Sequence, residues 1–217
     1  MVAAYIRLSP FSCFISYQTT STWCYWVVYA LSKNLKIQEK VHDDVSKYSP
    51  GSDGDICAEH VEKMDYLRAF LQEVLRLYPP AGFIPRITRF REVLDGVTVP
   101  PSTRVIVAPH LLHRHGKYWD DPESFLPERW LSVSEEEAAR RRFAFLPFSL
   151  GGRNCIGQYF ATLEAQLIVA ALVRAFRFEI ASSQRELDHT FTSFVTMKSK
   201  PLLRFVVHER MSTRIEI

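Results

Sequence analysis

The segment FSLGGRNCIG, residues 148–157, is the most informative stretch of the chain because it places a lone cysteine at the start of a long apolar helix. A helix N-terminus carries partial positive charge and unpaired N–H groups, so it stabilises a thiolate at Cys155. Gly151 and Gly152 permit a tight turn and the close approach of a flat or bulky ligand. Arg153 is placed to bind an anionic group beside the sulfur. The segment therefore predicts a ligand-binding loop centred on Cys155.

Other uses of a cysteine fit the sequence less well. A zinc site needs further cysteines or histidines at ligand spacing, and a nucleophilic cysteine needs a histidine base, yet no motif supplies either around Cys155. The chain has 4 cysteines in 217 residues, far below the density of a disulfide scaffold, and no pair has C-x-x-C spacing. Small buried side chains are expected at the other three, Cys13, Cys24 and Cys57.

The composition indicates an ordinary globular chain. At 217 residues it corresponds to one large domain or two small ones, and its 47% hydrophobic content excludes wholesale disorder. The 27 basic and 24 acidic residues give a net charge of +3, too small to predict a nucleic-acid partner. With 8 glycines and 12 prolines, collagen-like and low-complexity architectures are excluded.

The N-terminal region raises a membrane question. Between Arg7 and Lys33 lie 25 residues without a charge, which is long enough to span a bilayer. The polar run at residues 18–22 (QTTST) would be penalised in hydrocarbon. We therefore favour a buried helix over residues 11–33, with a membrane span and a targeting segment as the alternatives.

Periodicity along the remaining chain predicts a fold of class α+β, mostly α. Residues 109–130 show no clear period and are expected to be ordered but irregular. Helices are predicted at residues 35–47, at about 67–78 (stopped by two prolines), from Ser134 and at 157–176. Strands are predicted around a hairpin at Asp95-Gly96 and at Arg104–Val107, Phe194–Lys198 and Leu202–Val207.

The segment at residues 148–157 resembles the haem-binding loop of the cytochrome P-450 superfamily, whose pattern is F-x-x-G-x-x-x-C-x-G. Phe148, Gly151, Cys155 and Gly157 fill its four fixed positions. The resemblance implies that Cys155 is the proximal thiolate ligand of the iron of haem b. It also implies that Phe148 packs on the sulfur side and that Arg153 pairs with a haem propionate.

Two further motifs follow the same family. Glu73 and Arg76 form its E-x-x-R, whose spacing puts both charges on one helix face. The run P-E-R-W at residues 127–130 resembles its P-E-R-F, with Trp130 in place of phenylalanine. The resemblance implies that Arg129 joins the other two charges in a buried structural network. By itself, the E-x-x-R would be read as a surface ion pair worth less than about 1 kcal/mol.

The N-terminal helix carries a departure from the family pattern. Residues 15–20 (ISYQTT) stand where the family has A/G-G-x-D/E-T-T, so Thr19 matches the threonine that helps deliver protons to iron-bound dioxygen. Ile15 and Ser16 replace the small pair. Gln18 replaces the carboxylate, and an amide cannot relay a proton as an acid can. A polar patch within a buried helix is the alternative interpretation.

Weaker correspondences concern the edges of the site. Arg86 matches an arginine that commonly contacts a haem propionate in the family, and Arg89 is the alternative candidate for that contact. The residues at 81–84 would line the substrate side, as would Phe191 or Thr192. A structural role is expected for the pair His113-Arg114. The basic run at 140–142 is expected to be a solvated helix face, with reductase docking as the alternative.

Taken together, the resemblance covers residues 14 to about 208. It implies that residues 1–217 are a partial domain, the C-terminal haem-binding part of the cytochrome P-450 fold, without its N-terminal half and membrane anchor. The implied function is that of a haem-thiolate monooxygenase that inserts one atom of O2 into a small apolar substrate, with electrons from an NADPH-dependent reductase. A fatty acid and a sterol are the candidate substrates. The full-length protein would lie at the cytosolic face of the endoplasmic reticulum membrane. Alternatives are an inactive truncated fragment, a haem-binding pseudoenzyme, or a haem-thiolate isomerase or dehydratase that does not use O2.

Overall fold

The computed structural model describes residues 10–51, 54–181 and 203–210, with side chains described from residue 17 onward. Helices dominate it, as the sequence predicts. The α-helices are α1 (Pro10–Lys33), α2 (Leu35–Tyr48), α3 (Ala58–Val61), α4 (Asp65–Leu77), α5 (Pro109–Leu112), α6 (Glu135–Arg141) and α7 (Gln158–Ala175), with a 3-10 helix at Pro127–Trp130. The strands are β1 (Ile84–Ile87), β2 (Glu92–Leu94), β3 (Val97–Val99), β4 (Arg104–Val107), β5 (Phe176–Ile180) and β6 (Phe205–Glu209).

The described strands form three antiparallel pairs, β1 with β4, β2 with β3, and β5 with β6. The predicted hairpin at Asp95-Gly96 is confirmed, since these two residues connect β2 to β3. Their φ angles of 48° and 77° are the positive values that a tight hairpin turn requires. The β1–β4 pair places Arg86 opposite Val105 and so fixes the direction of the chain that follows α4.

The core lies where α1, α2, α4 and α7 meet. From α1, Trp26 and Val27 are almost completely buried, and Val169 and Val173 of α7 are fully buried in the same cluster. Tyr78, which follows α4, stacks on Trp26 with ring centroids 4.7 Å apart. The end of α4 is thereby held against α1, and Phe148, in the segment before Cys155, packs against the same core.

Among the described side chains of α1, burial begins at Thr22. Thr22 is 5% exposed, whereas Tyr17 is 74% exposed and Ser21 is also exposed. The prediction of a buried helix is therefore wrong for Tyr17 and Ser21, whereas residues 18–20 between them are half-buried. Among the described residues, no helix combines the length and the hydropathy that crossing a bilayer requires.

Several boundaries differ from the sequence prediction. The strand β5 begins at Phe176, the last residue of the predicted helix, and its sequence FRFEI alternates apolar and polar residues as strands do. The strand pairs with β6 along its whole length, and Gln38 of α2 binds it further. The side chain of Gln38 accepts a hydrogen bond from the N–H of Phe178 (2.7 Å) and donates one to its carbonyl (2.9 Å). The short helices α3 and α5 lie in segments without a predicted period. The run Leu202–Val207 is realised as β6 from Phe205, and Phe194–Lys198 lies outside the described residues.

Two predictions of exposure are wrong. Arg141 is buried rather than part of a solvated face, because its guanidinium donates to the carbonyl of Arg129 (2.7 Å) and lies over the ring of Trp119. Cys57 is exposed rather than a small buried side chain. The capping box of α6 is confirmed: the hydroxyl of Ser134 accepts from the N–H of Glu137 at 3.2 Å.

Candidate functional site

The cysteine loop, residues 145–157, is closed by its own backbone hydrogen bonds. The N–H of Cys155 donates to the carbonyl of Phe148 (2.9 Å), and the N–H of Asn154 donates to the carbonyl of Gly151 (3.1 Å). Gly157 then caps α7, which starts at Gln158. The side chain of Cys155 is exposed at this helix start. The loop therefore presents a thiol outward while backbone hydrogen bonds within it hold its turns.

Gly151 is the residue whose conformation the turn requires to be glycine. Its φ of +82° lies in the left-handed region, and no atom lies within 4 Å of the place where a Cβ would stand. Gly152 is equally open around its Cβ position but has no positive φ. A Cβ would therefore meet no neighbouring atom at either position, and only at Gly151 would it strain the backbone.

We expect Gly151→Ala to loosen the cysteine loop and Gly152→Ala to leave it unchanged. A non-glycine residue in the left-handed region costs about 1 kcal/mol, which corresponds to roughly fivefold faster amide exchange at Asn154 and Cys155. Hydrogen–deuterium exchange of these two amides measures the effect. If the two amides exchanged as slowly in Gly151→Ala as in Gly152→Ala and wild type, the turn would not require glycine at residue 151.

The loop contacts α1 through an aromatic pair. The rings of Phe148 and Trp23 meet edge to face, with centroids 6.2 Å apart. Gln18 and Thr19 lie about one turn before Trp23 and are half-buried. The carbonyl of Gln18 accepts hydrogen bonds from the hydroxyls of Ser21 (3.1 Å) and Thr22 (2.7 Å). The structure thus brings α1 to the loop at Trp23, a contact that the sequence analysis did not foresee.

A cavity of about 310 Å3 adjoins the loop between α4 and α7. Phe148, Asn154 and Gln158 line it from the loop side, and Trp23 lines it from α1. Cys155 is not among its lining residues. The exposed thiol therefore belongs to a different surface of the loop from this cavity.

Arg86 is joined to the cysteine loop from β1. Its guanidinium donates to the hydroxyl of Ser149 (3.1 Å) and to the carbonyl of Pro85 (2.9 Å). Of the two arginines considered from the sequence, Arg86 rather than Arg89 makes this contact with the loop. Ser149 was not predicted, and its φ of 63° shows that the turn places it in an unusual backbone region. Phe191 and Thr192 lie outside the described residues.

Behind the loop, Glu73 and Arg76 of α4 form a fully buried ion pair, confirming the predicted network. The Nε and Nη2 atoms of Arg76 donate to the two carboxylate oxygens of Glu73 at 2.9 and 2.8 Å. Arg129 donates to the same carboxylate at 3.1 Å. The remaining donors of Arg76 bind three backbone carbonyls, those of His113, Pro122 and Ser124. All five guanidinium N–H groups of Arg76 are therefore used.

Trp130 is part of this network. Its indole N–H donates to Oε2 of Glu73 at 2.9 Å, and the N–H of Leu126 donates to Oε1 at 2.8 Å. A phenylalanine, which the family pattern has at this position, has no such donor. The replacement is thus more than an aromatic exchange, since it adds a hydrogen bond to a buried carboxylate.

Comparison with known proteins identifies the family. The model of the family described as cytochrome P450 matches residues 13–205. The chain belongs to the cytochrome P450 family. It is 34% identical to cytochrome P450 4V2 of Mus musculus over 174 residues, which are 80% of this chain and 33% of the relative.

Two other curated relatives give the same family. Cytochrome P450 3A28 of Bos taurus is 27% identical over 203 residues, covering 94% of this chain and 39% of the relative. Lithocholate 6-beta-hydroxylase of Mesocricetus auratus is 33% identical over 166 residues, covering 76% of this chain and 32% of the relative. The chain therefore spans 32–39% of the length of these relatives.

The described surface around Cys155 fits the haem that the cytochrome P450 family implies. Three exposed apolar side chains follow the cysteine, namely Ile156 (87% exposed), Tyr159 (88%) and Phe160 (67%). The guanidiniums of Arg153 and Arg86 are exposed nearby in the same loop and on the strand bound to it. An exposed thiol, an apolar surface and cationic groups match a thiolate-ligated macrocycle that carries carboxylates. No group of three or more His, Cys, Asp and Glu residues suited to a metal occurs in the described part of the chain.

Burial distinguishes a second cysteine from Cys155. Cys24 of α1 is partly buried, and burial, helped by the charge of Glu164, raises its pKa to about 11. A thiol with so high a pKa stays protonated at neutral pH and is a poor ligand or nucleophile. Cys24 is thus a packing residue, as the sequence predicts.

Proposed function

We propose that this chain is the haem-ligating part of a haem-thiolate monooxygenase. The observation that carries the proposal is the exposed Cys155 thiol, held by the backbone-closed loop at the start of α7. Family membership supports monooxygenase chemistry in general. The activity, the substrate and the redox partner of the whole protein are proposals because the chain spans about a third of its relatives.

The residues of the loop would have distinct tasks. Cys155 Sγ would ligate the iron as a thiolate, and the positive end of α7 favours that charge state. Arg153 and Arg86 would pair with the two propionates. Phe148 packs on Trp23 and would exclude water from the sulfur side. When bound, the haem supplies the activation of O2 and the transfer of one oxygen atom to the substrate.

The helix α1 would serve the oxygen side. The hydroxyl of Thr19 would hold and pass a proton, with water as the donor, because the amide of Gln18 has no acidic proton to give. The electrons would come from an NADPH-dependent reductase. The whole protein would act at the cytosolic face of the endoplasmic reticulum membrane.

A small apolar molecule is the proposed substrate. The segment at residues 81–84, which ends at the first residue of β1, would line its site. One relative is named for the 6-beta-hydroxylation of lithocholate, a steroid acid, which supports a sterol-like substrate. A fatty acid is the alternative.

Replacing Cys155 tests the proposal directly. In Cys155→Ser, we expect loss of the red-shifted Soret band that a thiolate-ligated ferrous haem gives with carbon monoxide, because a hydroxyl is a much weaker ligand. Cys57→Ser is the matched control, since Cys57 is also exposed but lies outside the loop. The wild-type chain and the control should both show the band after haem is added. A wild-type chain without it would support an inactive fragment, and retention of the band in Cys155→Ser would assign the ligand elsewhere.

A second candidate is a haem-thiolate isomerase or dehydratase that does not use O2. Gln18 favours it, because the carboxylate expected for proton delivery is missing. Turnover with reductase, NADPH and a sterol or fatty acid separates the two candidates. NADPH-dependent product supports the monooxygenase, whereas NADPH-independent conversion of a hydroperoxide supports the alternative.

A further inference from the structure

His113 lies behind the cysteine loop and is fully buried. It follows α5, and its ring lies beside that of Phe145 with centroids 5.2 Å apart. The proposed chemistry does not use this imidazole. It nevertheless occupies the junction between the end of α4 and the residues that lead to Cys155.

Two hydrogen bonds specify how the imidazole is protonated. Its Nδ1 lies 3.1 Å from the carbonyl of Arg76, which only accepts, so Nδ1 must carry the hydrogen. Its Nε2 accepts from the N–H of Leu146 at 2.9 Å, so Nε2 must be bare. The structure therefore assigns a neutral imidazole of one tautomer. Burial agrees with this, because it lowers the pKa of His113 to about 3.

These bonds connect the charge network to the cysteine. The guanidinium of Arg76 donates to the carbonyl of His113 at 2.9 Å, so two hydrogen bonds of opposite direction connect these residues. Leu146, whose N–H is bound to His113, accepts from the N–H of Ser149 at 3.2 Å. Phe148, between these two residues, accepts from the N–H of Cys155. A continuous path of backbone and hydrogen bonds thus runs from α4 through the imidazole to the sulfur-bearing residue.

We propose that His113 is the positioning residue of the cysteine loop: its bare Nε2 fixes the N–H of Leu146, and its Nδ1–H anchors that contact to α4. The consequence for haem rests on the proposed function, because an unanchored loop would hold Cys155 less well under the iron. The positioning itself is a property of the chain without haem. The two aspects can therefore be tested separately.

A pair of variants divides the two hydrogen bonds. In His113→Asn, the amide stands near the position of Nδ1 and keeps the donor to Arg76 but does not reach Leu146. In His113→Gln, the amide reaches the position of Nε2 and keeps an acceptor for Leu146. His115→Gln is the control, since His115 is exposed and two residues away.

Amide exchange on the 217-residue chain without haem is the decisive measurement. We expect roughly tenfold faster exchange at Leu146 and Cys155 in His113→Asn, because the buried N–H of Leu146 loses its acceptor. His113→Gln should keep exchange at these amides within about threefold of wild type, and the middle of α4 should be unchanged in both. Equal acceleration in both variants, or in neither, would overturn the assignment.

The ferrous carbon monoxide spectrum tests the consequence for haem. His113→Asn should lower the fraction of thiolate-ligated haem, and His113→Gln and His115→Gln should retain it. If the wild-type chain does not bind haem, the proposed function fails while the exchange result still decides the positioning role. If the wild-type chain binds haem and exchange is the same in all variants, the positioning role fails alone.

Discussion

Glu73→Gln should lower the free energy of unfolding by about 3–5 kcal/mol, the usual cost of removing one partner from a buried ion pair. The carboxylate is completely buried and has two guanidiniums as neighbours, those of Arg76 and Arg129. Removing its charge leaves both cations in the interior without a counter-charge. Urea denaturation followed by far-UV circular dichroism measures the change.

The geometry of the carboxylate explains why an amide cannot replace it. Both oxygens of Glu73 accept, Oε2 from Arg76 and Trp130 and Oε1 from Arg76, Arg129 and Leu126. An amide nitrogen in either place would direct its own hydrogens at donors. The substitution is nearly isosteric, so lost packing contributes little to the expected effect.

Glu128→Gln is the matched control. Glu128 also accepts from a cation, Lys40 (2.7 Å), and from the hydroxyl of Tyr66 (2.9 Å), but its side chain is 45% exposed. Exposed pairs are worth less than about 1 kcal/mol, so this variant should unfold almost as wild type does. Similar losses in both variants would contradict the view that burial makes the Glu73 network important.

The sequence predicts the parts of this site that depend on short-range patterns. The spacing of Glu73 and Arg76 follows from helical periodicity, and the position of Cys155 before α7 follows from the glycines and the apolar run after it. The role of Arg129 could be stated only through the family resemblance, because nothing local indicates that a residue 56 positions away reaches Glu73.

Side-chain contacts between distant segments account for what the sequence analysis missed. From the sequence, Trp130 is an exchange of one aromatic residue for another, and its N–H acquires a role only because the 3-10 helix lies against α4. Likewise, the strand at Phe176–Ile180 alternates apolar and polar residues, but its contacts with Gln38 and with β6 come from segments distant in the sequence. In both cases the partner lies far away in the sequence, so no local pattern identifies the contact.

Acid should destabilise the chain through His113, and His113→Gln should remove that part of the pH dependence. The folded imidazole has its pKa lowered to about 3 from an ordinary 6.5, mainly by burial. Below pH 6.5 the unfolded chain therefore binds a proton that the folded chain does not. The stability that neutral His113 contributes is therefore fully present above pH 6.5 and is lost as the pH falls towards 3. Over that range the free energy of unfolding falls by up to about 1.4 kcal/mol per pH unit.

The variant isolates this contribution from that of the carboxylates, which titrate in both proteins. The charged groups acting on the imidazole are the guanidiniums of Arg76 and Arg114, which remain protonated throughout this range. From pH 6.5 to pH 4, the unfolding free energy of wild type should therefore fall by about 3 kcal/mol relative to that of His113→Gln, measured by urea denaturation at each pH. His115→Gln should follow the wild-type curve. Parallel curves for wild type and His113→Gln would mean that the buried imidazole is not held neutral, because a group with the same pKa in both states adds no pH dependence.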